Sequence, residues 1–219
     1  MNIFILHLNT KICAMYHCDK HVVKMILEYV QLLYTACWYV WYEHDNNIQI
    51  EDRSEKVDYK VNMSSLPEWI LTAPKTKTGL TGYRATHYNH PCAIWVRESL
   101  ENYLYLCQLG IDLCDEYTYR YGKTHMCQQH LIWLQDNFPP IPSYGLTQMK
   151  TAMPDKYKNE NDVVKSYRQY YNGDKTTFAK WSKRDIPYWY ESNTNKKKIT
   201  LIKKNKSEKL TFKKKLNLS

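Results

Sequence analysis

The sequence lacks the features of membrane-embedded and secreted proteins. Its 219 residues contain no run of eighteen uncharged apolar residues, so we expect no transmembrane helix. The first residues do not show the charged, then apolar, then small-residue pattern of a signal peptide. Because 43% of the residues are hydrophobic, the chain can still build a core. We therefore expect a soluble intracellular protein that is not secreted.

Cysteine occurs, but not in the patterns that form disulfides or structural zinc sites. The seven cysteines are an odd number at irregular spacings, and no CxxC motif is present. In a reducing compartment such cysteines serve as small buried apolar residues. We therefore expect no disulfides.

Excess positive charge is confined to one end of the chain. The net charge is +9, and the segment 192–219 alone carries ten lysines against one acid, Glu208. The other 191 residues hold 21 basic and 21 acidic side chains, so they are neutral overall. We interpret 192–219 as a solvated, disordered, lysine-rich tail. Its charge would attract phosphate without regard to sequence and would do so less at high salt.

Hydrophobic periodicity predicts a mainly α protein with a single helical domain over residues 1–191. A short strand or extended arm at residues 2–6 precedes a long helix from about Cys13 to Glu43, which contains no glycine or proline. Residues 45–85 are interrupted by proline and glycine, which indicates an irregular excursion with one helical turn near 66–71.

Four more helices are predicted after this excursion. The first starts at Pro91 and ends at Gly122, with Gly110 as its weak point. Asp162 is placed to cap a later helix that runs over 163–171. The remaining two helices are predicted over 125–137 and 176–183.

The first long helix is apolar on nearly all sides except for one polar stripe. Six polar residues fall within about 80° of arc on a helical wheel. They are His17, His21, Lys24, Glu28, Gln31 and Thr35. The stripe either faces solvent or lines an internal cleft, because buried unpaired polar groups cost about 1 to 3 kcal/mol each. In a cleft, Lys24 and Glu28 would shift each other's pKa and could serve in acid–base or amine chemistry.

His17 and His21 have the i, i+4 spacing of a two-histidine metal site. The residue after His17 is Cys18 and not the glutamate of HExxH, so the zinc-protease motif is absent. Further ligands could come from Glu28 or from two histidines near residue 90. We expect no bound metal or other cofactor, with a divalent ion held by His17 and His21 as the alternative.

Candidate substrate contacts also lie around the second long helix. His87 and His90 precede its first residue, Pro91, and the amino end of a helix attracts anions. Glu98 and Asn102 are i, i+4 neighbours on the same predicted helix. We therefore take His87, His90, Glu98 and Asn102 as candidate substrate-binding residues.

Tyrosine and tryptophan are abundant, with 20 and 7 copies, and many alternate with basic residues near the end of the domain. The segments 167–171 and 180–190 mix flat rings with cations, which suits stacking on bases and pairing with phosphate. Core packing is the alternative explanation for each ring. Arg168, Trp181 and Arg184 complete the candidate substrate-binding residues.

Several motifs together resemble an uncharacterised protein family of large phages and giant DNA viruses, and they span nearly all of residues 1–191. The motifs are Asn2-Ile-Phe-Ile-Leu6, Tyr16-His-Cys-Asp-Lys-His-Val-Val-Lys-Met-Ile-Leu-Glu28, His90-Pro-Cys92 with Trp95 and Glu98, Asp115-Glu-Tyr-Thr-Tyr-Arg-Tyr-Gly122, Ala152-Met-Pro-Asp155, Tyr167-Arg-Gln-Tyr-Tyr171 and Trp181-Ser-Lys-Arg184. Some members of that family are labelled pyrimidine-dimer DNA glycosylases, by distant similarity to the phage enzyme endonuclease V.

The resemblance implies a small helical DNA-repair enzyme that kinks DNA at a lesion. In such an enzyme an amine attacks C1′, the glycosidic bond breaks, and the strand is cleaved at the resulting Schiff base. The amine is the α-amine exposed when the initiator methionine is removed, and a glutamate on an early helix assists it. Glu28 matches the glutamate. Because Asn2 disfavours removal of Met1, we take Lys24 as the candidate amine, activated by burial beside the histidines of the stripe.

Three functions follow from these patterns. The first is a virus-encoded DNA glycosylase and abasic-site lyase acting on damaged or modified pyrimidines, with Glu28, Lys24, His17 and His21 as catalytic residues and DNA or a nucleotide as partner. The second is a metal-dependent hydrolase that uses His17 and His21. The third is a non-enzymatic protein tethered to nucleic acid or to a partner by its basic tail. The resemblance also implies a location in the host cytoplasm, the viral factory or the virion.

Overall fold

The computed structural model describes residues 1–44 and 68–191, so the predictions for 45–67 and for the tail 192–219 lie outside the described residues. The described part is mainly α-helical, as predicted, and contains no β-strand. No helix in it is long and apolar enough to cross a membrane. Its helices are α1 (Thr10–Tyr16), α2 (Asp19–His44), α3 (Glu68–Leu71), α4 (Pro91–Glu98), α5 (Leu100–Tyr121), α6 (Gln128–Asp136) and α7 (Val163–Asp174).

Helices α2 and α5 form the centre of the fold. Each packs against the other along its length, α4 and α6 contact both of them, and α1 packs on α5. The side chains between them are apolar and aromatic, and Tyr29, Trp38, Trp95 and Tyr103 are the bulkiest of those that are fully buried. All seven cysteines are buried and carry free thiols.

Residues 2–6, for which a short strand or an extended arm was predicted, form no strand and lie as a buried arm without a sheet partner among the described residues. Its residues from Ile3 to Leu6 are almost fully buried. Side chains satisfy its backbone: the thiol of Cys13 donates to the carbonyl of Phe4 (3.2 Å), and the guanidinium of Arg168 donates to the carbonyl of Leu6 (3.0 Å). Such a segment can be buried in a helical core because contacts of this kind take the place of the hydrogen bonds that a neighbouring strand would supply.

The first predicted helix is broken near its start, so the prediction of one continuous helix from Cys13 is wrong. His17 leaves helical geometry as the C-cap of α1, and the chain turns into α2 at Asp19. The break is fixed from outside the helix, because the backbone N–H of Asp19 donates to the carbonyl of Lys180 at 2.8 Å.

The second predicted helix is also broken, at Ser99 and not at Gly110. Ser99 has an extended backbone, and its side chain caps α5 by accepting from the N–H of Glu101. Gly110 remains helical and allows α6 to approach closely, since a Cβ there would lie 2.6 Å from a methyl carbon of Leu131. Gly122 ends α5 in the left-handed conformation with φ of 65°, as predicted.

After α6, the described chain forms one α-helix, α7, preceded by a single 3₁₀ turn at Asp155–Tyr157. Asp162 caps α7 by accepting from the N–H of Lys165 at 2.8 Å, which confirms the predicted start of this helix. The predicted helix over 176–183 is wrong, because these residues form turns and irregular chain, which Trp181 and Ser182 join to α1 and α2 by hydrogen bonds. The indole of Trp181 anchors them by donating to the carbonyl of Tyr16 at 2.9 Å.

Candidate functional site

The polar stripe divides into a buried part and a surface part, so neither the cleft nor the solvent face describes the whole of it. His17, His21 and Thr35 are buried. The side chain of Lys24 is 64% exposed, whereas that of Glu28 is 13% exposed. Within the stripe, Lys24 and Glu28 therefore form the pair in which a mostly buried carboxylate lies beside a solvent-accessible amine.

The two histidines of the stripe are hydrogen-bonded core residues. His17 bonds the carbonyl of Cys13 through Nδ1 (2.8 Å) and the hydroxyl of Tyr29 through Nε2 (3.1 Å). His21 Nδ1 lies 2.5 Å from the hydroxyl of Tyr171, and its ring stacks on Phe4. Burial lowers the pKa of His17 to about 4 and that of His21 to about 2. Both rings are therefore neutral near pH 7, and they position α1 and α2.

The described residues contain no group of three or more His, Cys, Asp or Glu side chains arranged to hold a metal ion. Both ring nitrogens of His17 already have hydrogen-bond partners within the protein. A metal bound between His17 and His21 would have to displace Tyr29 or the backbone of α1.

Glu28 is held between two nitrogens. The ammonium of Lys24 lies 3.0 Å from its Oε1, and the backbone N–H of Asn2 donates to its Oε2 at 3.1 Å. Asn2 is itself fixed, because its amide donates to the carbonyl of Ala152 and accepts from the hydroxyl of Tyr167, both at 2.7 Å. The carboxylate is thus preorganised. The burial that we expected to activate Lys24 is absent, since its amine projects into solvent.

His87 and His90 lie beside the amino end of α4, as predicted, but they differ in role. The ring of His90 caps the helix by accepting from the N–H of Cys92 at 3.1 Å. His87 is exposed, with φ of 53°, and contacts the hydroxyl of Thr86. Burial lowers the pKa of His90, and the negative charge of Glu28 acts against this shift. His90 therefore serves as the cap of α4, and His87 is the more accessible of the two rings.

Glu98 and Asn102 do not share a helix, because the break at Ser99 separates them. Glu98 is exposed at the end of α4. Asn102 is fully buried, and its amide donates to the carbonyl of Trp95 (2.8 Å) and accepts from the N–H of Thr147 (2.9 Å). Asn102 therefore fastens the 142–147 segment to the helices and presents no polar group to a ligand.

Trp181, Arg168 and Arg184, the candidates from the aromatic and basic segments, differ in how far they are buried. Trp181 is 8% exposed and serves as an anchor. Arg184 lines one depression of about 750 Å³, which we call the tyrosine depression, and Arg168 contacts the Tyr188 side chain that lines it. It is lined by Met15, Tyr16, Tyr119, Lys183, Arg184, Asp185, Ile186, Pro187 and Tyr188.

A buried network of charges beneath this depression was not predicted. The side chain of Arg120 is fully buried, and it pairs with Glu116 (2.6 Å) and Asp19 (2.8 Å). Glu116 also binds Arg184 through two nitrogens, at 2.8 and 3.0 Å. From the sequence, Glu116 and Arg120 look like an ordinary i, i+4 surface pair. Nothing in the local pattern indicates that Asp19, about one hundred residues away, completes the network.

No protein-family model matches the chain, and no curated protein or solved structure matches it. The resemblance to a family of large phages and giant viruses therefore stays a prediction.

Proposed function

We propose that this protein acts on DNA as a glycosylase and abasic-site lyase on damaged or modified pyrimidines, with Lys24 and Glu28 as its reaction centre. The observation that supports this proposal is the contact of 3.0 Å between an accessible amine and a largely buried carboxylate. Amine nucleophiles need a neighbouring base to take up their proton, and this carboxylate is in place to do so.

In the proposed reaction Lys24 and Glu28 first cleave the glycosidic bond and then cleave the DNA strand. Glu28 takes a proton from Lys24, and the neutral amine attacks C1′ of the nucleotide. A C–N bond forms while the glycosidic bond breaks, and its electron pair leaves with the base. The resulting secondary ammonium gives a proton to the departing base, Glu28 returns its own proton to the ring oxygen, and the opened sugar is a Schiff base. Removal of a C2′ proton by the carboxylate then expels the 3′ phosphate and cleaves the strand.

Glu28 also lies next to the other amine that the resemblance suggests. The backbone nitrogen of Asn2 would become an α-amine if Met1 were removed, and it already contacts Glu28 at 3.1 Å. Because Asn2 disfavours that removal, we assign the attack to Lys24. Either amine would depend on the same carboxylate, so Glu28 is the residue that the proposal requires.

Cleavage of defined DNA duplexes tests this proposal. We expect the protein to cut a duplex that carries one abasic site or one pyrimidine dimer, and Glu28→Gln to reduce the single-turnover rate by about 100-fold or more. Glu160→Gln, which changes an exposed glutamate away from Lys24, is the control and should retain the rate. The proposal fails if the unmodified protein cuts neither duplex, or if Glu28→Gln cuts as fast as the control.

A purely binding function is the second candidate. It is favoured by the tyrosine depression, where exposed rings and basic side chains meet. The metal-dependent hydrolase has less support, because the ring nitrogens of His17 are already hydrogen-bonded.

A further inference from the structure

The tyrosine depression presents two large rings to solvent. Tyr188 is 81% exposed and Tyr119 is 49% exposed. The ring of Tyr16 lies beside that of Tyr188, with centroids 6.4 Å apart and planes at 76°. Flat rings that are exposed and close together offer faces on which another planar group can stack.

Guanidinium groups lie against both exposed rings and help to orient them. The guanidinium of Arg168 lies 5.5 Å from the centroid of Tyr188 and donates to its hydroxyl at 3.2 Å. The guanidinium of Arg184 lies 4.0 Å from the centroid of Tyr119. The hydroxyl of Tyr119 donates to the carbonyl of Lys183 at 3.1 Å. The rings are therefore oriented before any ligand arrives, which reduces the entropy lost on binding.

Arg168 has unused capacity to bind an anion. Its Nε donates to the carbonyl of Leu6 and one terminal nitrogen donates to Tyr188, so two of the five donors of a guanidinium are engaged. No carboxylate of the described residues pairs with it. A guanidinium with an open edge and no acidic partner suits a phosphate oxygen.

Lys183 is a second cation at the depression that has no acidic partner among the described residues. Its ammonium donates to the backbone carbonyl of Tyr119 at 3.3 Å, and no carboxylate in the described part of the chain pairs with it. Arg184, by contrast, is neutralised by Glu116 and serves as an anchor. Asp185 is the acid that lines the depression.

The wall of the depression is fixed by the buried charges below it. Arg184 is clamped by Glu116, and the neighbouring Ser182 donates its N–H (2.9 Å) and its hydroxyl (2.7 Å) to the carboxylate of Asp19. Arg120 ties these two acids together from beneath. These contacts hold the loop that carries Lys183 and Tyr188 in a fixed position against α2 and α5.

We propose that the tyrosine depression binds an unpaired stretch of nucleic acid, with bases stacked on Tyr188 and Tyr119 and phosphates paired with Arg168 and Lys183. Alternating rings and cations are what single-stranded nucleic acids require, since every base has a stackable face and every linkage carries a negative charge. A phosphorylated peptide would pair with the cations but would place no base on the rings. This site extends the proposed action on DNA to a second surface, and it does not depend on any reaction at Glu28.

Fluorescence anisotropy with the full-length protein tests the proposal. The probes are labelled oligothymidylate and oligouridylate about 12 nucleotides long, a duplex of the same length, and thymidine monophosphate as a competitor. We expect both single strands to bind more tightly than the duplex, and the monophosphate to compete only weakly. Tyr188→Ala should weaken single-strand binding by about 5- to 150-fold, and Tyr188→Phe should retain it.

Two further variants test the charge of Arg168 and the specificity of the effect for the depression. Arg168→Gln should weaken binding and lower the slope of log affinity against log salt by about one. Tyr144→Ala, which removes a similarly exposed ring that does not line the depression, is the matched control and should bind as the unmodified protein does. The basic tail is present in every variant, so differences between variants report the depression.

The proposal is overturned if Tyr188→Ala and Arg168→Gln both bind like the unmodified protein, or if Tyr144→Ala loses as much affinity as they do. Preferential binding of the duplex would also contradict it. Measurements in Glu28→Gln keep the two proposals apart, because this variant should lose cleavage and keep its affinity for oligothymidylate.

Discussion

At the scale of single residues, the carboxylate of Glu116 holds together the buried charges below the tyrosine depression. It is 4% exposed and pairs with both the fully buried Arg120 and the partly buried Arg184, while Asp19 supplies the second negative charge of the network. A buried charge that loses its partner is far more costly than the same charge at the surface. The network therefore constrains which substitutions the site tolerates.

Replacing Glu116 with alanine should destabilise the protein strongly. The change leaves the guanidinium of Arg120 buried with Asp19 as its remaining acidic partner, so we expect the free energy of unfolding to fall by about 3 to 5 kcal/mol. Urea denaturation followed by tryptophan fluorescence measures this change. Glu160→Ala, at an exposed position, should shift it by about 0.5 kcal/mol or less. A loss below about 1 kcal/mol for Glu116→Ala would show that the network is not needed for stability.

At the scale of helices and segments, local signals predicted some boundaries correctly. Gly122 and Asp162 mark the end of α5 and the start of α7, because a left-handed glycine and an aspartate cap act within one turn of the helix they bound. The mainly helical character also followed from the 3.6-residue period of the apolar side chains.

The breaks and the final loop were not predictable from local patterns, because residues distant in sequence decide them. Asp19 begins α2 where its N–H meets the carbonyl of Lys180. Ser99 ends α4 where its hydroxyl donates to the carbonyl of Gly145 at 2.8 Å. Residues 176–183 have helical spacing, but the contact of Trp181 with Tyr16 holds them as turns.

The candidate site was also predictable only in part: local spacing predicted the contact between its charges, and distant residues decide the rest. The i, i+4 spacing of Lys24 and Glu28 placed their charges together, and the structure has them 3.0 Å apart. The spacing could not show that His17 and His21 turn into the core, since this depends on Tyr29 and Tyr171. The tyrosine depression joins α1, α5 and the 183–188 loop, and its rings carry no local sequence signal that distinguishes them from core tyrosines.

At the scale of the whole molecule, the buried histidines make stability depend on pH. The folded protein keeps His17 and His21 neutral because burial lowers their pKa to about 4 and about 2. In the unfolded chain both titrate near pH 6.5. As pH falls below about 6.5, the unfolded state therefore takes up protons that the folded state does not, and stability is lost.

We expect the free energy of unfolding to be lower at pH 5.5 than at pH 7.5 by about 1 kcal/mol for each of these histidines. Urea denaturation at the two pH values measures the difference. His87→Gln, which removes an exposed histidine, should keep the full pH dependence. The same unfolding free energy at both pH values would mean that His17 and His21 accept protons within the folded protein.

The central claim, that Lys24 attacks C1′ with the help of Glu28, is tested most directly by borohydride trapping on DNA that contains an abasic site. Borohydride reduces a Schiff base to a stable amine, so the attacking residue stays attached to the DNA and can be located by peptide mass spectrometry. We predict a covalent adduct at Lys24 that is lost in Lys24→Ala and retained in Lys165→Ala, an exposed control on α7. The absence of any adduct with the unmodified protein, or an adduct of equal yield in Lys24→Ala, would contradict the claim.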